Sequence, residues 1–245
     1  MNYPKIIIVT NVDYLHELGP TANTLRSFLD EWPKDKFKLL VCKDFNVTEH
    51  GENTSNVFVL SHKDIQVASY LIKEERKPKE KTYLGFQGNI NPNLANQNLF
   101  QLYKNKFRYF LTKIYYFLPY KPANVYKWLD DFKPEILYCC VPDYRSFKLC
   151  YQLSCRYKIH IIPHFLDDWM NTYLTEKYDS RLLRSVFTKL LNKVFSKSPF
   201  GLCICDLMSK TYHNRYNIPF YSLMNSVPSV NTPDFHFEKK DSITF

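Results

Sequence analysis

The sequence predicts an α/β fold, a parallel sheet with helices on both faces, and three observations carry that prediction. Short apolar runs alternate along the chain with longer segments whose apolar residues recur at helical spacing. The first run, Ile6 to Thr10, is β-branched and almost wholly apolar, the habit of a strand covered on both faces. Helix-starting residues (Gly19-Pro20, Asp143 and Asp206) stand shortly after predicted strands.

The elements follow in order. After Ile6 to Thr10, the positions Leu25, Phe28, Leu29 and Trp32 mark one face of a helix opened by Pro20, whose missing N–H leaves no further donor unsatisfied. Phe37 to Val41 and Val57 to Leu60 read as the second and third strands, separated by a polar loop from Asp44 to Asn56. Residues 73 to 98 are Lys-rich and Asn-rich and predict an extended loop. A helix from Pro92 to Leu118 follows, with the stripe Phe100, Tyr103, Phe107, Phe110, Ile114 and Leu118.

A shorter helix near Val125 to Phe132 leads to the strand Glu135 to Cys140, and Asp143 is the expected N-cap of the next helix. The strand Ile159 to Pro163 ends in a loop, His164 to Trp169. A helix near Leu182 to Phe195, a strand Leu202 to Cys205, a helix opened by Asp206 and a strand Phe220 to Leu223 complete the alternation. Such alternation implies right-handed crossovers and a Rossmann-like sheet, with ligands held outside the carboxyl ends of the strands. The loops to examine are therefore Asn11 to Gly19, Val141 to Arg145, His164 to Trp169 and Asp206 to Ser209.

Composition bounds the function. A chain of 245 residues is long for one domain and short for two, which predicts one domain with an appended tail. Only 5 glycines are present, far below the usual ~7%, so few tight phosphate loops can exist. The net charge of +9 favours anionic partners such as nucleotide diphosphates and anionic lipids. Charge and aromatics without a recognised module do not make a nucleic-acid-binding protein.

Seven cysteines without a C-x-x-C pair argue against zinc and for a reducing cytosol, and Cys150 and Cys155 fall at buried-looking helix positions. The N-terminus enters a strand without a signal-peptide core, and no run approaches the ~20 apolar residues of a membrane span. The expected location is cytoplasmic, with peripheral contact at the inner face of the membrane.

Three stretches, taken in order, resemble the N-terminal domain of the retaining family 4 glycosyltransferases with the GT-B fold. They are Lys5 to Trp32; Lys133-Pro134-Glu135-Ile136-Leu137-Tyr138 followed by Ile162-Pro163-His164-Phe165-Leu166-Asp167-Asp168-Trp169; and Cys205-Asp206-Leu207-Met208 through Tyr212 and Tyr216 to Leu223-Met224-Asn225-Ser226-Val227. The His-x-x-Asp-Asp-Trp loop is the most distinctive. Two departures stand out: Gly19 is followed by Pro20 where the family commonly has a second glycine, and no Glu-x7-Glu spacing occurs. The resemblance implies an acceptor-side domain over residues 1–227, then a linker and the opening strand of a donor-binding domain over 228–245.

By the same resemblance the activity is that of a hexosyltransferase, catalytically incomplete as this chain, moving sugar from a nucleotide-sugar donor to a glycan or lipid-linked acceptor in cell-surface polysaccharide synthesis. No cofactor or metal is implied. The rival is a non-catalytic half that binds acceptor or membrane beside a separately encoded donor-binding partner.

Candidate residues follow. The resemblance implies that His164 hydrogen-bonds the reacting sugar or acceptor, and that Asp167 or Asp168 orients the acceptor hydroxyl or takes its proton. Gly19 and the amide of Thr21 open a helix, where free N–H groups and the dipole suit a phosphate. Tyr144 and Arg145 line an acceptor pocket. Lys104, Lys106, Arg108 and Lys113 flank an aromatic stripe as a membrane-facing helix requires. Each has a plainer alternative: a capped strand end for His164, a helix cap for the two aspartates, an ordinary turn at Gly19, a solvated helix start for Tyr144 and Arg145, and a core-packing helix for the basic stretch.

Overall fold

A computed structural model describes residues 3–14, 19–29, 32–42, 55–60, 64, 117–141, 143–168 and 181–223. The apolar runs become seven strands: β1 (Ile6–Thr10), β2 (Phe37–Cys42), β3 (Val57–Leu60), β4 (Ile136–Cys140), β5 (His160–Phe165), β6 (Gly201–Cys203) and β7 (Phe220–Ser222). The helices between them are α1 (Pro20–Leu29), α2 (Ala123–Asp130), α3 (Tyr144–Tyr157), α4 (Arg181–Phe195) and α5 (Asp206–Tyr216). The strands form one sheet in the order β3-β2-β1-β4-β5-β6-β7, and every neighbouring pair is parallel. This is a Rossmann-like α/β fold. The chain winds outward in one direction from β1 and in the other from β4, so the sequence order reverses between these two central strands. Such a reversal opens a crevice at the carboxyl ends, because the loops leaving the two strands turn to opposite faces.

Side-chain alternation along the strands builds two cores. Ile6 and Ile8 of β1, Leu39 and Val41 of β2, and Tyr138 and Cys140 of β4 face α1, meeting Ala22, Leu25 and Leu29. Ile7, Val9, Leu40, Cys42, Leu137 and Cys139 face the other way, toward Val125 and Leu129 of α2, Phe147 and Leu153 of α3, Phe187 and Leu191 of α4, and Tyr212 of α5. Right-handed crossovers dictate this split, since stepping from β1 to β2 and from β4 to β5 runs in opposite directions across the sheet. Each fully buried aliphatic or Phe side chain contributes on the order of 1.5–3 kcal/mol.

Helix starts follow the expected chemistry. Pro20 is the first residue of α1, and the Asn23 N–H donates to the Gly19 carbonyl at 2.9 Å. Asp143 caps α3, its Oδ1 accepting from the Ser146 N–H at 3.1 Å and its Oδ2 from the Ser146 hydroxyl at 2.6 Å.

Three expectations need correction. The strand expected to end at Pro163 continues to Phe165, because His164 and Phe165 pair with Leu202 and Cys203 of β6. The strand expected to reach Cys205 stops at Cys203, and Cys205 is the N-cap of α5. Cys155 is exposed, since it lies one residue past buried Ser154 and so turns off the buried face of α3. The expected helix Pro92 to Leu118 lies outside the described residues except for Phe117 and Leu118, as do Lys104, Lys106, Arg108, Lys113 and the boundary at 227–228. Among the described residues no helix is long and apolar enough to cross a membrane.

Candidate functional site

Parallel pairing of β1, β4, β5 and β6 places their carboxyl ends at one edge of the sheet. The segments following them therefore share that edge. Asp143 to Arg145 and Leu166 to Asp168, which follow the neighbouring strands β4 and β5, lie on the same rim, as the alternation predicted.

His164 is the penultimate residue of β5 and is only 2% exposed. Its Nδ1 lies 2.5 Å from the Tyr138 hydroxyl of β4, and the two rings meet edge to face with centroids 5.8 Å apart. Tyr138 is itself stacked on Phe28 of α1 at 5.2 Å. The other ring nitrogen, Nε2, makes no hydrogen bond among the described residues. Burial pushes the His164 pKa down to about 4, and the Leu223 backbone beside the ring opposes this more weakly, so the imidazole is uncharged near neutral pH.

Asp167 and Asp168 follow β5 and are exposed. Asp168 Oδ1 accepts from the hydroxyl of buried Tyr212 at 3.0 Å, which ties this carboxylate to α5. The Asp167 charge reaches the Cys140 thiol at the end of β4. Burial first, then Cys139, then Asp167 push that thiol up to about 12. The segment that either aspartate would cap as a helix start, 169–180, lies outside the described residues.

Among the described residues nothing covers the Gly19 end of α1. Gly19 has φ +146°, in the region that favours glycine, and a Cβ built there would meet nothing within 4 Å among the described residues. Thr21, one residue into the helix, is partly exposed.

Between β1 and β4 the crevice floor holds polar and ionisable side chains. Thr10, Asp13, Arg145 and Ser146 are all buried there, Arg145 to 1% exposure and Asp13 to 2%. Arg145 Nε lies 3.8 Å from Asp143 Oδ1, and its guanidinium sits 5.5 Å over the Tyr120 ring. The expected solvated helix start is thus corrected for Arg145, because its side chain folds back under Asp143 rather than outward. Tyr144 is half-buried and turned toward the helical layer, against Phe117 at 4.6 Å and Phe187 at 5.9 Å. Cys42, at the end of β2, borders the same floor; burial, then the Asp143 charge, push its thiol far above the ordinary value.

Sequence reasoning missed Asp13, Tyr138, Tyr212 and the apolar rim. Asp13 had a usable signal, as the single carboxylate just after the first strand of a Rossmann-like unit. Leu207 is 76% exposed and Leu223 36% exposed, and the Leu223 N–H donates to the Cys203 carbonyl at 2.8 Å, which holds it beside the end of β6. Among the described residues no group of three or more His, Cys, Asp or Glu is placed to hold a metal ion. A cleft of about 370 Å³ lined by Tyr3, Lys5, Lys36, Lys133 and Glu135 opens at the amino-terminal edge, away from all these loops. In comparisons with known proteins, no family model matches the chain and no curated protein matches it in sequence.

Proposed function

We propose that this chain recognises a sugar-bearing acceptor, as the acceptor-side domain of a GT-B-type glycosyltransferase that moves sugar from a nucleotide-sugar donor to a glycan or glycolipid of the cell surface. A Rossmann-like topology alone serves many chemistries, so the reading rests on the site. The observation that carries it is His164, a buried, uncharged imidazole with one nitrogen held by Tyr138 and the other making no hydrogen bond among the described residues, followed by two exposed carboxylates.

Sugars are dense in hydroxyl groups, and a pocket that discriminates them does so with buried polar atoms that only the right ligand satisfies. Asp168, steadied by Tyr212, and Asp167 orient the acceptor hydroxyl and draw its proton as it attacks. The open start of α1 at Gly19 and Thr21 suits the donor diphosphate, whose charge the free amides and the helix dipole stabilise. Transfer by such a site depends on positioning and electrostatic stabilisation rather than on a protein nucleophile.

The test is an array of immobilised mono- and oligosaccharides, probed with the parent chain and with His164→Phe, which keeps a flat ring but loses both nitrogens. The parent should retain a defined subset of glycans, and His164→Phe should weaken it about tenfold, the equivalent of one net hydrogen bond. A parent that retains no glycan, or a folded variant that retains the same glycans equally, overturns the proposal.

A further inference from the structure

Tyr138 pairs with Ile162 across β4 and β5, so His164, two residues further on, shares its face of the sheet on a diagonal that an aromatic side chain spans. The phenol oxygen and Nδ1 stand 2.5 Å apart, and both residues are 2% exposed. One proton lies between the two atoms, and it belongs either to the ring or to the phenol. If Nδ1–H donates, the phenol proton and the Nε2 lone pair are both left without partners among the described residues. If the phenol donates, the Nε2–H alone is left, and the Leu223 backbone beside the ring favours a proton there. Stranding one buried group costs less than stranding two.

We propose that Tyr138 is a positioning residue that donates its hydroxyl proton to Nδ1 and so fixes His164 as the Nε2–H tautomer, making the carboxyl edge of β5 a hydrogen-bond donor toward an oxygen of the bound ligand. Burial supports the assignment at both ends. It holds the phenol protonated, with Cys140 and Cys139 adding to the same effect, and it keeps the imidazole uncharged. Stacking on Phe28 locks the phenol ring in the plane that aims its hydroxyl at Nδ1.

The ligand atom that meets Nε2 is therefore a lone-pair oxygen of a hydroxyl, ether, carbonyl or phosphate group, and not an ammonium or an amide N–H. A neutral Nε2–H also has no free lone pair, so it does not serve as a base. Proton removal from an acceptor hydroxyl falls to Asp167 or Asp168. This inference rests on the proposed function only in treating His164 as ligand-facing; the tautomer is a property of the unliganded chain.

The experiment is nitrogen NMR of the whole chain carrying ¹⁵N-labelled histidine at neutral pH, with the His164 signals assigned by their loss in His164→Phe. The parent should show Nδ1 as an unprotonated, pyridine-type nitrogen and Nε2 as a protonated, pyrrole-type nitrogen. Tyr138→Phe keeps the ring and its stacking, and should shift His164 to a mixture of tautomers, a change that loss of packing alone would not produce. A parent with Nδ1 protonated overturns the inference without recourse to any variant, and so does a folded Tyr138→Phe with an unchanged tautomer. If the tautomer is as stated and His164→Phe leaves glycan retention untouched, the functional reading falls and the role of Tyr138 stands.

Discussion

Acidification should destabilise this fold through His164, and the size of the effect follows from its burial. The folded pKa is about 4, against 6.5 for the free imidazole. Above pH 6.5 neither state binds the proton, and His164 has no effect on stability. As the pH falls through this window, the unfolded chain takes up a proton that the folded chain refuses, so unfolding is favoured increasingly until the folded pKa is reached. The difference of about 2.5 pK units corresponds to about 3 kcal/mol, a large share of the ~5–15 kcal/mol that holds a typical domain together.

Carboxylates and the other histidines among the 7 in the chain titrate in the same window, so the informative quantity is a difference. Urea unfolding of the parent and of His164→Phe is measured at intervals from about pH 7 to about pH 4. The parent should lose about 3 kcal/mol more than the variant over this range, with no further divergence below it. Two curves that stay parallel throughout would refute the argument, since they would mean that His164 takes up its proton as readily folded as unfolded.

Gly201 tests the packing of the β6–β7 edge. It pairs with Phe220, and a Cβ added at Gly201 would fall inside the van der Waals surface of the Phe220 ring. That ring is held by Phe165 at 6.0 Å, Phe195 at 6.1 Å and Tyr212 at 5.5 Å and has little room to yield. Gly201→Ala should cost about 1–3 kcal/mol, read as a Tm lowered by about 2–4 °C per kcal/mol, and adding Phe220→Leu should recover part of it. A further expectation concerns the basic stretch: if the membrane contact expected from the sequence holds, replacing Lys104, Lys106, Arg108 and Lys113 by Gln should weaken co-sedimentation with anionic vesicles roughly a hundredfold or more, at about 1 kcal/mol per residue. Equal binding by parent and quadruple variant would leave those charges as a solvated face.

The strands β1 and β3 begin and end where the sequence places them, because a β-branched run bounded by polar residues leaves the backbone little choice. Asp143 was legible for a similar reason, its side chain serving the helix that begins one residue later. His164 was harder. A histidine after Pro163 ends an apolar run, yet the strand continues because β6 supplies pairing partners and Tyr138, 26 residues upstream, satisfies one ring nitrogen. Nothing local to residue 164 signals a phenol on a neighbouring strand. Arg145 misleads for the opposite reason: the first turn of a helix is ordinarily wet, and only the pairing of β1 with β4 beneath it turns that position into a crevice floor.

The adjacency of β1 and β4 also bears on how this chain is made. Ile6 pairs with Ile136, and the Lys5 N–H donates to Glu135 Oε2 across 130 residues of sequence. The strands β1 and β2 leave the ribosome close together and can pair at once. The other edge of β1 waits for a partner until Ile136 to Cys140 have been synthesised. Parallel contacts between such distant segments form slowly, because loop closure must precede any pairing. Throughout that interval an almost wholly apolar strand presents unpaired N–H and C=O groups along one edge, a template for the wrong neighbour. Nascent or refolding chains should therefore be most prone to aggregate before β4 docks, and a holdase that covers the free edge of β1 should raise the yield of folded protein.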